Sequence, residues 1–199
     1  ISMILAFYRQ IIINHNDIKR NIWSKYPGET LLNKRVGVIG VGNIGKDLIS
    51  LLKPFNCEIL VNDIVDQKKY YEENKLLEVS KEFIFKNADF ITVHVPLDKT
   101  TENIINKKSL STMKSSSFVI NTARSGIINQ EDLKWALQNE IIAGAAIDVY
   151  DNEPPVDNDL LLFPNLINTP HIGGNSKEAV EAMGISAINN ILNWINKFN

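Results

Sequence analysis

Three side chains that could hold a carboxylate and move a proton stand just past apolar stretches in the second half of the chain. Arg124 lies in Asn121-Thr122-Ala123-Arg124-Ser125-Gly126, Glu153 in Asp151-Asn152-Glu153-Pro154-Pro155, and His171 in Thr169-Pro170-His171-Ile172-Gly173-Gly174. A guanidinium offers a planar fork of donors that grips a carboxylate and polarises the carbonyl beside it. An imidazole is the side chain whose proton exchanges near neutral pH. A carboxylate next to that ring favours its charged form and fixes its tautomer. Hydride transfer to a keto acid needs this set of groups. Each residue alone has an ordinary alternative: Arg124 as a surface charge, Glu153 as a loop acid, His171 as a turn residue ahead of a helix.

A second constellation lies earlier. Gly40-Val41-Gly42-Asn43-Ile44-Gly45 comes at the end of the apolar run that begins at Arg35, and it opens a helical pattern. In that context Gly40 allows a tight turn, Gly42 lets the backbone approach a pyrophosphate, and Gly45 lets helix and strand pack closely. The N–H groups of Asn43 and Ile44 would point at the phosphates, aided by the helix dipole. Asp63 closes the next apolar run about 20 residues on, where an acid accepts from the ribose hydroxyls of an adenosine. An acid there also repels a 2′-phosphate, which favours NAD over NADP. The plain alternatives are a structural strand–helix turn and a solvated turn aspartate.

These groups need a frame to bring them together. Apolar runs at 35–41, 58–62, 90–95, 117–122, 142–149 and 166–169 read as six strands, with helical patterns between them. The first helix runs to about Lys53. Another opens at Asn129, an N-cap, with Asp132 placed for a capping box. The last starts near Asn175, with Glu178 at its third position. This alternation predicts an α/β fold, a Rossmann-type doubly wound parallel sheet with helices on both faces. Ligands bind such sheets at the carboxyl ends of the strands, where Arg124, Asp148, Glu153 and His171 all fall. His94, at the end of the third strand, is expected to pack there, and His15 has no partner that the sequence names.

Residues 1–30 differ from the rest. Ile1 to Ile13 is an apolar helix-like run, Asn14 to Trp23 is polar with a few large apolar residues, and Tyr26-Pro27-Gly28 breaks the chain. One reading is a helix on the sheet followed by a loop; the other is an arm that docks on a second copy. Residues 31–199 form the dinucleotide-binding domain in either case.

Composition narrows the partners. A net charge of −2 with scattered Lys and Arg excludes the basic stripe that nucleic-acid binding needs. Apolar stretches break well before the roughly 18 residues of a membrane span. Cys57 is the single cysteine, which leaves no internal disulfide and suggests a buried, inert thiol. No cluster reads as a metal site. The first residue is Ile1, and no signal segment follows it, so the chain reads as a piece of a longer cytoplasmic protein.

VGVIGVGNIG, HVPLDKTTENII, NTARSGIIN, AAIDVYDNEPP and NTPHIGGNSKEA, in that order, resemble the signature blocks of the D-isomer-specific 2-hydroxyacid dehydrogenases from about residue 31 to 180. The resemblance implies NAD as cofactor and a small 2-keto or 2-hydroxy acid as substrate. It also implies a homodimer paired through the cofactor domain, and a separate substrate domain outside this chain. It implies that Arg124 binds substrate, Glu153 orients the histidine and His171 is the acid/base. Asp148 would hold the nicotinamide carboxamide, Val95, Pro96 and Thr101 would line the adenosine side, and Thr122, Ala123 and the turn from His171 through Gly173 to Gly174 would flank the nicotinamide. Two positions depart from the pattern: Ser125 replaces a glycine, and Asn129 an aspartate. The HIGG turn is most similar to the phosphoglycerate dehydrogenase branch, with glyoxylate and hydroxypyruvate reductases next. A nucleotide-sensing corepressor-like module of the same fold is the other functional class, since it shares the blocks and works through partner contacts.

Overall fold

The computed structural model describes residues 1–156 and 158–197. In chain order the elements are α1 (Ser2–Tyr8), α2 (Ile11–Lys19), β1 (Arg35–Ile39), α3 (Asn43–Leu52), β2 (Glu58–Asn62), α4 (Lys68–Asn74) and β3 (Leu77–Glu78). Then come α5 (Lys81–Asn87), β4 (Phe90–Val93), α6 (Lys107–Leu110), β5 (Phe118–Asn121) and α7 (Gln130–Gln138). β6 (Gly144–Ile147), α8 (Asn158–Leu161), β7 (Leu166–Asn168) and α9 (Lys177–Asn196) complete the chain.

The strands form one sheet in the order β3-β2-β1-β4-β5-β6-β7, and every neighbouring pair is parallel. From β1 the chain winds outward to β2 and β3, then returns to lay β4 on the other side of β1. The crevice at that reversal, above the carboxyl ends of β1 and β4, is where an open sheet of this kind binds ligands.

Both faces are covered, so the strands are apolar without alternation. Successive residues point to opposite faces: Val38 packs with α1, α3 and α4, while its neighbour Ile39 packs with the α5–α7 side. Val119 and Ile120 of β5 divide in the same way. α3 presents Gly45, Leu48, Ile49 and Leu52 to the sheet, at the helical spacing that makes one buried stripe. Burying each of those three large aliphatics stabilises the fold by roughly 1.5–3 kcal/mol.

Four details differ from the sequence reading. A seventh strand, β3, pairs with β2 over two residues. The apolar run at the N-terminus is two helices, not one, because Gln10 adopts a left-handed conformation (φ 51°) between α1 and α2. Asp132 does not complete a capping box with Asn129. The Asn129 side chain accepts from Asp132 N at 3.0 Å, but the Asp132 carboxylate accepts from Lys107 N at 2.8 Å, joining α7 to the start of α6. The cap of α9 is Ser176, whose hydroxyl accepts from Ala179 N; Asn175 lies one residue outside it.

α1 is a packed helix, with Ile4 and Tyr8 buried and Tyr8 edge-on to Phe90 at 4.5 Å. Beyond it, Ile11, Ile12, Ile13, Ile18 and Ile22 are exposed, and Trp23 is 80% exposed. Among the described residues, no helix is long and apolar enough to cross a membrane, and no group of His, Cys, Asp and Glu could hold a metal ion.

Candidate cofactor and catalytic site

The glycine-rich turn joins β1 to α3. Gly40 has φ +94°, and a Cβ there would lie 2.6 Å from His94 O, just past the end of the neighbouring strand β4. A Cβ on Gly45 would lie 2.2 Å from Gly40 O, so only glycine lets α3 start this close to the turn. A Cβ on Gly42 would meet nothing within 4 Å. Gly42 is the N-cap of α3, and no side chain caps the Asn43-Ile44 end of the helix. Open space before uncapped N–H donors suits a pyrophosphate.

Asp63, just past β2, reaches across to this turn. Its Oδ2 accepts from Val41 N at 2.6 Å and its Oδ1 from Val65 N at 2.9 Å. Gln67 Nε2 donates to Val41 O at 3.0 Å, so both sides of Val41 are held from the loop after β2. Gln67 was not singled out from sequence, because a glutamine ahead of a polar helix carries no signal of its own. The carboxylate keeps lone pairs free for ribose hydroxyls.

Beyond β4, Val95 and Pro96 line a cleft of about 510 Å³ together with Ile44, Leu97, Thr122, Ala123 and Arg124. Thr101 is spent on the loop itself. Its hydroxyl donates to Pro96 O at 2.6 Å and accepts from Asp98 N at 2.8 Å. It therefore shapes the wall on which Val95 and Pro96 sit. His94 packs as expected: Nε2 lies 3.0 Å from Thr92 Oγ1. Burial pushes the imidazole down to about 4.

Arg124 follows β5 in an extended conformation (φ −150°, ψ 144°), with an exposed side chain whose Nη1 donates to Ala123 O at 2.6 Å. The residue that holds this loop is Asn121, at the end of β5 and only 2% exposed. Its Oδ1 accepts from Ala123 N at 3.0 Å, and its Nδ2 donates to Arg124 O at 2.8 Å. Sequence reading passed over it as an ordinary strand-end asparagine. The available signal was a polar residue at a position the strand pattern marks as buried.

His171 follows β7 on a left-handed turn (φ 53°). Its Nδ1 lies 2.8 Å from Glu153 Oε2, an acid brought over from the loop after β6. Glu153 Oε1 also accepts from Tyr150 N at 3.2 Å. The His171 contact first, and the Tyr150 N–H second, hold the Glu153 carboxyl below the usual carboxylate range. Tyr150 OH donates to Thr169 O at 2.9 Å, tying the Glu153 loop to the end of β7.

Asp148, 1% exposed, braces the other side of the turn. Its Oδ1 accepts from Thr169 Oγ1 at 2.5 Å and Ile172 N at 2.9 Å, and its Oδ2 from Gly173 N at 2.8 Å. A Cβ on Gly173 would press on Asp148 Oδ2 at 3.0 Å, whereas one on Gly174 would meet open space. Three donors occupy a carboxylate with about four acceptor sites, which leaves room for one more donor, such as a carboxamide.

A second cleft of about 590 Å³ holds Thr122, Asp148, Thr169, Ile172 and Gly173, and shares Ile44, His94 and Thr122 with the first. The two form one trough along the carboxyl edge of the sheet. It runs from the glycine-rich turn past Arg124 to the His171 turn, with Asp63 beyond the turn at the opposite end. Its shape and donor set fit a dinucleotide: an open helix N-terminus at Gly42, an acid at the β2 end, and a polar apolar-walled groove over β4 to β7.

Known proteins share this architecture. Residues 1–173 match the family model described as "D-isomer specific 2-hydroxyacid dehydrogenase, NAD binding domain". The D-3-phosphoglycerate dehydrogenase of Methanocaldococcus jannaschii is 37% identical over 187 residues, covering 92% of this chain and 36% of that protein. The hydroxypyruvate reductase of Thermotoga maritima is 35% identical over 199 residues, covering 96% of this chain and 63% of that protein. The phosphoglycerate oxidoreductase of Vibrio cholerae superposes with a TM-score of 0.87 at 28% identity, covering 98% of this chain and 64% of that one. The NAD-complexed D-isomer specific 2-hydroxyacid dehydrogenase of Lactobacillus delbrueckii ssp. bulgaricus does so with a TM-score of 0.85 at 25% identity, covering 96% and 63%. The chain thus spans between about a third and just under two thirds of these relatives. A parallel sheet in this order, its glycine-rich turn and the family match over 173 residues agree: the chain belongs to the D-isomer specific 2-hydroxyacid dehydrogenases and carries their NAD-binding domain.

Proposed function

We propose that the protein carrying this chain interconverts a small 2-keto acid and its D-2-hydroxy acid, with NAD as the hydride carrier. The observation that carries the reading is the Glu153–His171 contact at 2.8 Å, on the same strand edge as Arg124. When bound, the reduced nicotinamide supplies the hydride. Gly40, Gly42, Asn43, Ile44 and Gly45 hold its pyrophosphate, Asp63 the adenosine ribose, and Val95 and Pro96 the adenosine side on a wall that Thr101 shapes. Thr122, Ala123, Asp148, Gly173 and Gly174 flank the nicotinamide.

Arg124 pairs with the substrate carboxylate and draws electron density from the keto group. His171, with Nδ1 engaged by Glu153, turns Nε2 toward the substrate and gives its proton to the carbonyl oxygen as negative charge develops there. In the reverse direction it takes that proton back. Glu153 fixes the ring's tautomer and orientation through Nδ1.

The substrate domain that closes over the keto acid lies outside these 199 residues, and the protein is a cytoplasmic homodimer. The exposed apolar side chains of α2 and Trp23 support pairing through this domain, and light scattering on the full-length protein measures it. The phosphoglycerate-type substrate is favoured by the HIGG turn and by the D-3-phosphoglycerate dehydrogenase named above. The deciding experiment is turnover of the full-length protein with NADH and a panel of 2-keto acids. His171→Ala should lower it by roughly 10² to 10⁴-fold, the usual worth of a positioned acid/base. A parent protein inactive on the whole panel would refute the reading.

A further inference from the structure

We propose that Asn121 is a positioning residue for substrate binding: its side-chain amide sets the backbone on which Arg124 stands, and so sets affinity for the substrate carboxylate. This rests on the role of Arg124 proposed above. Both ends of the amide are used, and both on the same short stretch. Oδ1 takes the N–H of Ala123 and Nδ2 gives to the carbonyl of Arg124, at 3.0 and 2.8 Å. The Cα of Arg124 lies between those two bonds. From β5 onward the chain has no regular partner until the short 3-10 turn Ser125–Ile127, so the amide spans the gap between strand and turn.

The chemistry of the position is selective. Residue 121 must accept from an N–H and donate to a carbonyl within three residues. A carboxylate of the same shape accepts but cannot donate, a serine reaches only one partner, and an apolar isostere reaches neither. Asn121 is 2% exposed, so a polar side chain at this position that misses either partner is itself left without water. The loop would then shift until solvent reached it, and Arg124 would move with it. A displacement of about 1 Å at a binding group can cost on the order of 10²-fold. The trough wall formed by Thr122 and Ala123 belongs to the same loop, but among the described residues the glycine-rich turn, Asp63 and the Glu153–His171 pair make no hydrogen bond to Asn121.

Asn121→Asp in the full-length protein is the direct test, with Asn121→Ser as the variant that keeps the site uncharged. KM for the keto acid, NADH affinity by fluorescence and the pH profile of kcat/KM are measured on each, along with oxamate binding to the NADH complex. Both variants should raise KM and the oxamate Kd by roughly 10-fold or more, and weaken NADH, whose nicotinamide lies against Thr122 and Ala123 of the same loop, by a clearly smaller factor, while the pH profile keeps its midpoint. In an Arg124→Ala background the Asn121 change should add little, because its effect runs through that guanidinium. Losses of NADH affinity and keto-acid affinity in equal proportion would make Asn121 a general fold residue and overturn the proposal. So would unchanged oxamate binding in both variants. A parent that binds oxamate but turns over no keto acid would sink the oxidoreductase reading alone, since oxamate affinity still judges Asn121. A parent that neither binds nor turns over would sink both.

Discussion

His171 and Glu153 are 18 positions apart in sequence and meet at 2.8 Å on an exposed edge. An exposed pair of this kind adds little to stability, so its worth lies in the ring's orientation. Replacing Glu153 with Gln removes the carboxylate that holds Nδ1 but keeps a polar partner. Keto-acid reduction should therefore slow by roughly 10-fold or more, and steady-state rates measure it. An unchanged rate would reduce Glu153 to a loop residue. His94 makes the opposite case, because it is shielded and neutral. Its folded value is pushed down to about 4 against an ordinary 6.5, so between those values the unfolded chain takes up a proton that the folded chain refuses. Its contribution is whole above pH 6.5 and is lost as pH falls toward 4, by up to about 3 kcal/mol. Denaturant titrations at several pH values should show this acid slope in the parent and a flatter one in His94→Gln. Equal slopes would show that some other group titrates.

At the level of elements, the loop after β2 and the glycine-rich turn act together through Val41. Asp63 at that junction motivates a cofactor preference: NADH should bind more tightly than NADPH, and Asp63→Ala should weaken NADH. Fluorescence titration of both cofactors settles it against equal or tighter NADPH binding. How much of this could be read in advance follows from physical signal strength. The six longer strands were legible because a sheet covered on both faces demands unbroken Val, Ile and Ala runs. β3 was not, being two exposed residues that pair with one neighbour. The break at Gln10 was hidden because the apolar pattern continues across it. Asp132 sat at the right spacing for a capping box, yet a tertiary partner, Lys107 N, claimed its carboxylate. Arg124, Glu153 and His171 stood out as charged or titratable groups at strand ends. Asn121 and Gln67 did not, since an amide's importance lies in partners that only the folded chain supplies.

For the molecule as a whole, the trough is open on the side away from the sheet. Closure over a substrate excludes water and aligns the reactants, and both effects are large in catalysis. A polypeptide of these 199 residues should therefore fold and bind NADH, yet reduce keto acids far more slowly than the full-length protein. Comparable steady-state rates for the two would show that the cofactor domain is self-sufficient.

The left-handed backbone at His171 has a consequence for how such a protein can evolve. A β-carbon in that region costs on the order of 1–2 kcal/mol, which glycine escapes. His171 is exposed, and among the described residues its one side-chain hydrogen bond is to the solvent-accessible Glu153. His171→Gly should consequently raise the melting temperature while abolishing turnover, as paired thermal scans and rate assays would reveal; a lower melting temperature would mean that the imidazole also supports the fold. Under selection for heat resistance alone this histidine would be among the early losses. Its presence in a lineage is then a record that turnover, and not durability, has been under selection at this turn.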